Sequence, residues 1–369
     1  MKKGDEFKDV AFGFNNDYLF SIFMVNHYRI KQIPEDFQVI EEPILTLCSP
    51  GRFTYFTLRK RDYTTLEAIH AISKEIGVQP SALRAAGNKD KIAVTEQACS
   101  IKGDWKRRLE AITIPGITVQ VIGNGNQPLW LGGITRNRFR ITIREIEAEP
   151  QVLPCFVNYF GTQRFSSSNA EIGKSLITRR YLDAITLIGA AKTLKADVLF
   201  SHLHSNPTDY IGALRQVPQQ LLKLYIHAYQ SLLWNETARQ YLSMNPNPGM
   251  QITDPGMEIP LAGFDLDSID NQIKDNQIKN IIDTILSREG ISRFDFILRE
   301  IPELCAEGGK RPLLAYAKEV SIQDFGSNDL GPGKKCTLSF SLSPGSYATV
   351  YIEQAMSGCV KAVSVFDDD

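Results

Sequence analysis

Between residues 36 and 60 the chain is rich in β-branched and aromatic positions that alternate with polar ones, which predicts extended segments over 36–45 and 52–60. The turn residues Ser49-Pro50-Gly51 lie between them, so the two read as paired strands. A helix is predicted next. Thr64 with Glu67 forms a capping box, Leu66, Ile69, Ile72 and Ile76 recur at helical spacing, and Gly77 supplies the stop. A shorter helix is expected over 81–86, ended by Gly87, followed by strands over 93–101, 117–122 and 138–144. In the last of these, period-two alternation places Arg136, Arg138, Arg140 and Arg144 on one face and Asn137, Phe139, Ile141 and Ile143 on the other. One face is basic and the other apolar.

After Pro150 the period changes. Helical spacing appears over 170–180, 219–241 and 273–288, and alternation returns at Leu338, Phe340 and Leu342. A more helical unit over 155–318 thus interrupts a mixed α and β unit made from both chain ends, as an inserted domain would. The chain length of 369 residues agrees, because one hydrophobic core seldom organises that many.

Composition narrows the class. Hydrophobic residues at 43% and charged residues at 22% are ordinary for a globular chain and exclude collagen-like, disordered and coiled-coil classes. The richest apolar stretch, 18–25, is too short for a membrane helix, and Asp5 and Glu6 stand where a signal peptide would begin its apolar region, so no membrane association and a cytoplasmic location are expected. Six scattered cysteines without a C-x-x-C read as reduced thiols. A net charge of -1 hides an asymmetry: residues 51–180 carry 20 Lys and Arg against 11 Asp and Glu, and the remainder is acidic. Such a stretch is either a solvated face with counter-charges nearby or a polyanion-binding surface.

Familiar motifs fail on inspection. Gly309-Lys310 and Gly333-Lys334 lack the earlier glycine and the following Ser or Thr of a phosphate loop. His202 and His204 have no third ligand at metal-binding spacing and read as loop histidines, so no metal is expected. Asp90 remains, between Lys89 and Lys91, just after a glycine turn and just before a strand. A carboxylate there is anionic at neutral pH and can act as a nucleophile without a separate base; the bland alternative is a loop aspartate that turns the chain.

Gly87-Asn88-Lys89-Asp90-Lys91-Ile92-Ala93-Val94-Thr95-Glu96-Gln97 resembles the signature of the TruD pseudouridine synthases. Lys31-Gln32-Ile33-Pro34-Glu35-Asp36-Phe37, Asn137-Arg138-Phe139, Asn158 to Phe165, Ala228-Tyr229-Gln230-Ser231 and Pro344-Gly345-Ser346-Tyr347-Ala348-Thr349 resemble further elements of that family, in its order. Lys91 stands where the family has Arg, Arg136 where Gly commonly precedes the Asn, Val157 where Pro is usual and Ser166 where Gly is usual. The first 30 residues carry no resemblance.

The resemblance implies an α+β fold: a pseudouridine-synthase-type catalytic domain with a mixed, mainly antiparallel sheet, over 1–154 and 319–369, interrupted by an inserted α/β TRUD domain over 155–318. It implies isomerisation of a uridine in tRNA, uridine 13 in bacterial members, to pseudouridine, with tRNA as partner, no cofactor and no obligate protein partner. Asp90 matches the catalytic aspartate and Lys31 the basic residue paired with it; Phe37, Asn137 and Tyr347 match substrate-contacting positions, Phe139 the aromatic at the target base, and Lys89 falls near the site. Arg138 and Arg140 are the candidates for the RNA backbone, since phosphate contacts position RNA without reading its sequence. An RNA-binding module without chemistry and an aspartate-dependent hydrolase of a small molecule are the competing classes.

Overall fold

The computed structural model describes Ile30 and residues 33–357, apart from 131, 166–167, 192–195, 245–255 and 267–274. Lys31 and residues 1–29 lie outside the described residues. Contacts divide the chain into two compact units, one formed by Val157–Leu314 and the other by the flanking segments that end at Phe156 and resume at Ala315.

The flanking unit begins with β1 (Phe37–Pro43), β2 (Phe53–Arg61), the helix Thr65–Ile76, β3 (Leu83–Ala85), β4 (Val94–Lys102), β5 (Ile117–Gly125) and β6 (Ile134–Ile146). The capping box works as its residues dictate: Thr64 Oγ1 accepts from Glu67 N, Glu67 Oε2 accepts from Thr64 N, and Gly77 ends the helix in the left-handed region at φ 72°. The short strand β7 (Cys155–Val157) follows. Within Val157–Leu314 the helices Asn169–Ile177, Tyr181–Ala190, Ala196–Ser205, Gln219–Met244 and Asn276–Glu289 accompany β8 (Glu258–Leu261) and β9 (Gly309–Pro312), which pair antiparallel. β10 (Leu314–Tyr316), β11 (Lys318–Ser327), β12 (Lys334–Leu342) and the helix Ala348–Ser357 close the chain.

One large sheet runs in the order β11-β12-β6-β1-β4-β2-β5, with β3 added on β4. The β1–β4 pair is parallel and the other described pairs are antiparallel. Its inner face carries Phe56, Leu58 and Cys99 against Ala68, Ile69, Ile72 and Ile76 of the helix Thr65–Ile76.

Two predicted features are corrected. The segments flanking Ser49-Pro50-Gly51 do not form a hairpin, because β4 lies between β1 and β2. Residues 44–52 are too long a connection for a tight hairpin and cross over the inserted strand instead. The helix expected over 81–86 is a single 3-10 turn, Pro80–Ala82, followed by β3, whose Leu83, Arg84 and Ala85 pair with Ile101, Ser100 and Cys99. A free edge of β4 offers the backbone hydrogen bonds that local helix propensity could not outweigh.

The insert owes its core to Ile172, Leu176, Tyr225, Tyr229, Trp234, Ile281 and Ile285. A side chain on Gly173 would strike the Tyr225 carbonyl oxygen, so the glycine permits the close approach of its helix to Gln219–Met244. The motifs of this unit are structural. Asn158 accepts from Arg311, Asn235 bonds both backbone polar groups of Phe160, Arg164 Nε donates to Ser231, and Gln230 Nε2 donates to the carbonyls of Ala262 and Glu307. His202 and His204 stand on the helix Ala196–Ser205 rather than in a loop, and His202 Nε2 lies 2.8 Å from Asp209 Oδ2. No described helix is long and apolar enough to cross a membrane.

Candidate active site

The loop 87–93 joins β3 to β4 and carries Asp90 in an exposed position. Its geometry is fixed by four separate elements. Gln97 on β4 donates to the Gly87 carbonyl (2.8 Å) and accepts from Thr65 Oγ1 (2.9 Å), and that hydroxyl in turn accepts from Lys89 N (2.9 Å). Lys91 Nζ donates to Glu67 Oε1 (2.9 Å); the Thr64 N–H and this lysine hold the Glu67 carboxyl down at about 2. Lys89 Nζ reaches across to Glu41 Oε2 on β1. A Cβ on Gly87 would stand 2.9 Å from that ammonium and 3.1 Å from that carboxylate, so the glycine of the motif makes room for the ion pair.

The fourth anchor escaped sequence reasoning. Lys60 on β2 is 1% exposed, and its ammonium donates to the carbonyls of Tyr63 (2.6 Å), Asp90 (2.8 Å) and Lys89 (3.3 Å). Three carbonyls match the three donors of a lysine. Burial pushes Lys60 down to about 8; the charges of Asp90 and Glu67 oppose that shift and Lys89 adds to it. Because this value lies below the ordinary lysine value, the unfolded chain holds the proton in the window between, and Lys60 makes stability rise with pH across it. Activity should fall over the same window, since a neutral amine loses one donor to the loop and the positive charge facing Asp90. A kcat/KM profile is expected to decline as pH rises through about 8, with this limb missing in Lys60→Met; an identical limb in that variant would assign the titration to another group.

The register of the sheet brings the other residues to the same face. Glu41 lies directly opposite Asn137, and Val39 opposite Phe139. Phe139 is stacked on Phe340 at 5.3 Å and meets the edge of Phe37 at 6.2 Å, so Phe37 and Phe139, 4% and 8% exposed, form one aromatic wall. Leu342 pairs with Asn137, and Tyr347, half-buried, follows the Pro344-Gly345 turn that leaves β12. Phe37, Asn137 and Phe139 thus share one face of β1 and β6, and Lys89 reaches that face through Glu41.

The arginines are placed elsewhere. Arg136, Arg138 and Arg140 pair in register with Glu42, Ile40 and Gln38, on the opposite face of β6 from Asn137 and Phe139. Arg136 and Arg138 both bond Glu42, whose carboxyl they hold below the usual range, and Arg140 lies 4.0 Å from Asp324. Arg144 does not extend the exposed basic stripe: it is 4% exposed, donates to both oxygens of Asp36 at 2.8 and 2.9 Å, and is covered by Asn328 and Asp329. Asp36 is therefore the structural member of the Pro34-Glu35-Asp36-Phe37 element, fixing the entry to β1.

A profile of the family described as tRNA pseudouridine synthase D (TruD) matches residues 18–197, 191–254 and 257–354. The tRNA pseudouridine synthase D of Aquifex aeolicus is 27% identical over 395 residues, covering 90% of this chain and 99% of that protein. A Nanoarchaeum equitans protein named "Probable tRNA pseudouridine synthase D" is 28% identical over 388 residues, covering 88% and 97%. The crystal structure of a Methanosarcina mazei protein described as "Putative tRNA pseudouridine synthase D (TruD)" superposes with a TM-score of 0.69 at 24% identity, covering 89% of this chain and 93% of that one. The mixed, mainly antiparallel sheet with its helical companion unit is therefore the α+β fold of a pseudouridine synthase. The chain belongs to the TruD family, and it is a tRNA pseudouridine synthase, an isomerase.

Proposed function

We propose that the chain converts uridine 13 of tRNA to pseudouridine with Asp90 as nucleophile, and that the inserted TRUD domain, expected over 155–318, is the compact unit Val157–Leu314. The observation that carries the reading is the loop 87–93, whose backbone is anchored on β2, β4 and the helix Thr65–Ile76 while Asp90 itself is left exposed. Preorganised positioning of this kind is what a covalent step requires. Asp90 bonds to the ribose carbon as the bond from that carbon to N1 of uracil breaks, the base turns, C5 bonds to the same carbon and displaces the carboxylate, and the proton lost from C5 is balanced by one gained at N1. No net oxidation or hydrolysis occurs, and the proposed reaction uses no metal or organic cofactor, as the family resemblance implies. Lys31 is assigned to pair with Asp90, Lys89 to support the site, and Phe37, Asn137 and Tyr347 to contact the nucleotide. Phe139, backed by Phe340, offers its remaining surface to the base, and stacking of about 1 to 3 kcal/mol per base offsets part of the cost of extrusion. The enzyme acts in the cytoplasm, with tRNA as its partner.

Pseudouridine mapping of tRNA from cells with and without the chain tests this. Loss of the modification at position 13, restored by the gene, is expected; an unchanged map removes the assignment, and loss at another position reassigns the target.

Arg138 and Arg140 are half exposed and are retained as phosphate contacts, but each must exchange a carboxylate partner for a phosphate. Replacing both with Gln should therefore flatten the plot of log affinity against log salt by less than about 2, the limit for two full phosphate contacts. An unchanged slope takes both residues off the RNA path.

A further inference from the structure

The side chain of Glu41 has no exposed surface, and its two oxygens are treated differently. Oε2 accepts from Lys89, whereas Oε1 is buried with no hydrogen-bond partner among the described residues. Asn137, directly opposite on β6, has its Oδ1 in the same condition. Residues opposite each other in an antiparallel pair project from the same face with Cβ atoms roughly 5 Å apart, so the two orphaned oxygens belong to neighbouring side chains on one face of the sheet. A buried acceptor left without a donor is costly, and a side-by-side pair of them marks a place kept for a donor that arrives with a ligand.

We propose that Glu41 is a specificity-determining residue whose Oε1 accepts the N3–H of the target uracil; this rests on the proposed reaction. The chemistry is selective. Uracil presents one donor on its base-pairing edge, N3–H, and a carboxylate oxygen complements it. Cytosine presents a lone pair at N3, which would face the carboxylate's own lone pairs, and a site built for a donor rejects a base lacking it. The same carboxylate is tied to Lys89, the residue preceding Asp90, so one ion pair sets the base reader and the nucleophile in a common frame.

Glu41→Gln tests this cleanly because the amide oxygen should turn to Lys89, leaving the NH2 group to face N3–H. Binding is measured with the Asp90→Asn chain, with and without Glu41→Gln, on two tRNA transcripts carrying uridine or cytidine at the target position. The preference for uridine should shrink at least about tenfold, the effect of losing one charge-assisted hydrogen bond. An unchanged ratio overturns the assignment. If Glu41→Gln does not fold, the unaltered protein decides: a transcript with 3-deazauridine at the target, which lacks N3–H, should compete at least about tenfold more weakly than the uridine transcript, and equal competition overturns the assignment. Failure of the wild-type chain to make pseudouridine in any tRNA would instead remove the reaction on which the inference stands.

Discussion

Asp90→Asn should abolish pseudouridine formation, lowering kcat/KM by about a thousandfold or more, while tRNA affinity stays close to that of the wild type. Loss of a nucleophile removes a covalent path, and enzymes that act through one commonly lose several orders of magnitude when it is replaced. The loop should keep its shape in the variant. Its anchors are the backbone carbonyls of Gly87, Lys89 and Asp90, the Lys89 N–H and the Lys89 ammonium, all retained when a carboxylate becomes an amide. Single-turnover assays on a tRNA transcript, together with equilibrium binding at one fixed salt concentration, separate the two effects. Turnover at a wild-type rate would remove Asp90 from the mechanism. Equal loss of binding and turnover would make it a docking residue.

The sequence disclosed the pattern within strands better than the pairing between them. Alternation along 136–143 put Asn137 and Phe139 on one face and Arg138 and Arg140 on the other, and the register agrees, because the two-residue period depends only on local geometry. That Arg144 is buried on the arginine side was not legible, since its cover comes from Asn328 and Asp329, far along the chain. Lys60 was hidden for the same reason. In Leu58-Arg59-Lys60-Arg61 it looks like the solvated end of a strand, and its burial depends on carbonyls at Lys89 and Asp90. Glu41 did carry a local signal: Phe37, Val39 and Glu41 share one parity on β1, so an acid stood in an inward position. A charge at an apolar parity asks for a partner, and among the described residues Lys89 partners one of its two oxygens.

Arg144→Met should be the most destabilising of the substitutions considered. It removes the guanidinium that bonds both oxygens of Asp36, which is 2% exposed and lies at the entry to β1. Breaking a buried ion pair from one side leaves an uncompensated charge and costs about 3 to 5 kcal/mol, a large share of the stability of an ordinary domain. The loss should appear as a lower urea midpoint with little change in slope. Asp36→Asn combined with Arg144→Met decides the cause. When both charges are gone nothing remains to be desolvated without a partner, so the double variant should recover much of the loss, although the amide still needs hydrogen bonds that methionine cannot give. The cycle then yields a coupling energy between the two sites. If the double variant is as unstable as the sum of the singles, the arginine acts through packing of its stem rather than through the ion pair. Because β1 carries Phe37 and Glu41 on the face that meets the loop 87–93, recovery of stability should bring recovery of turnover with it.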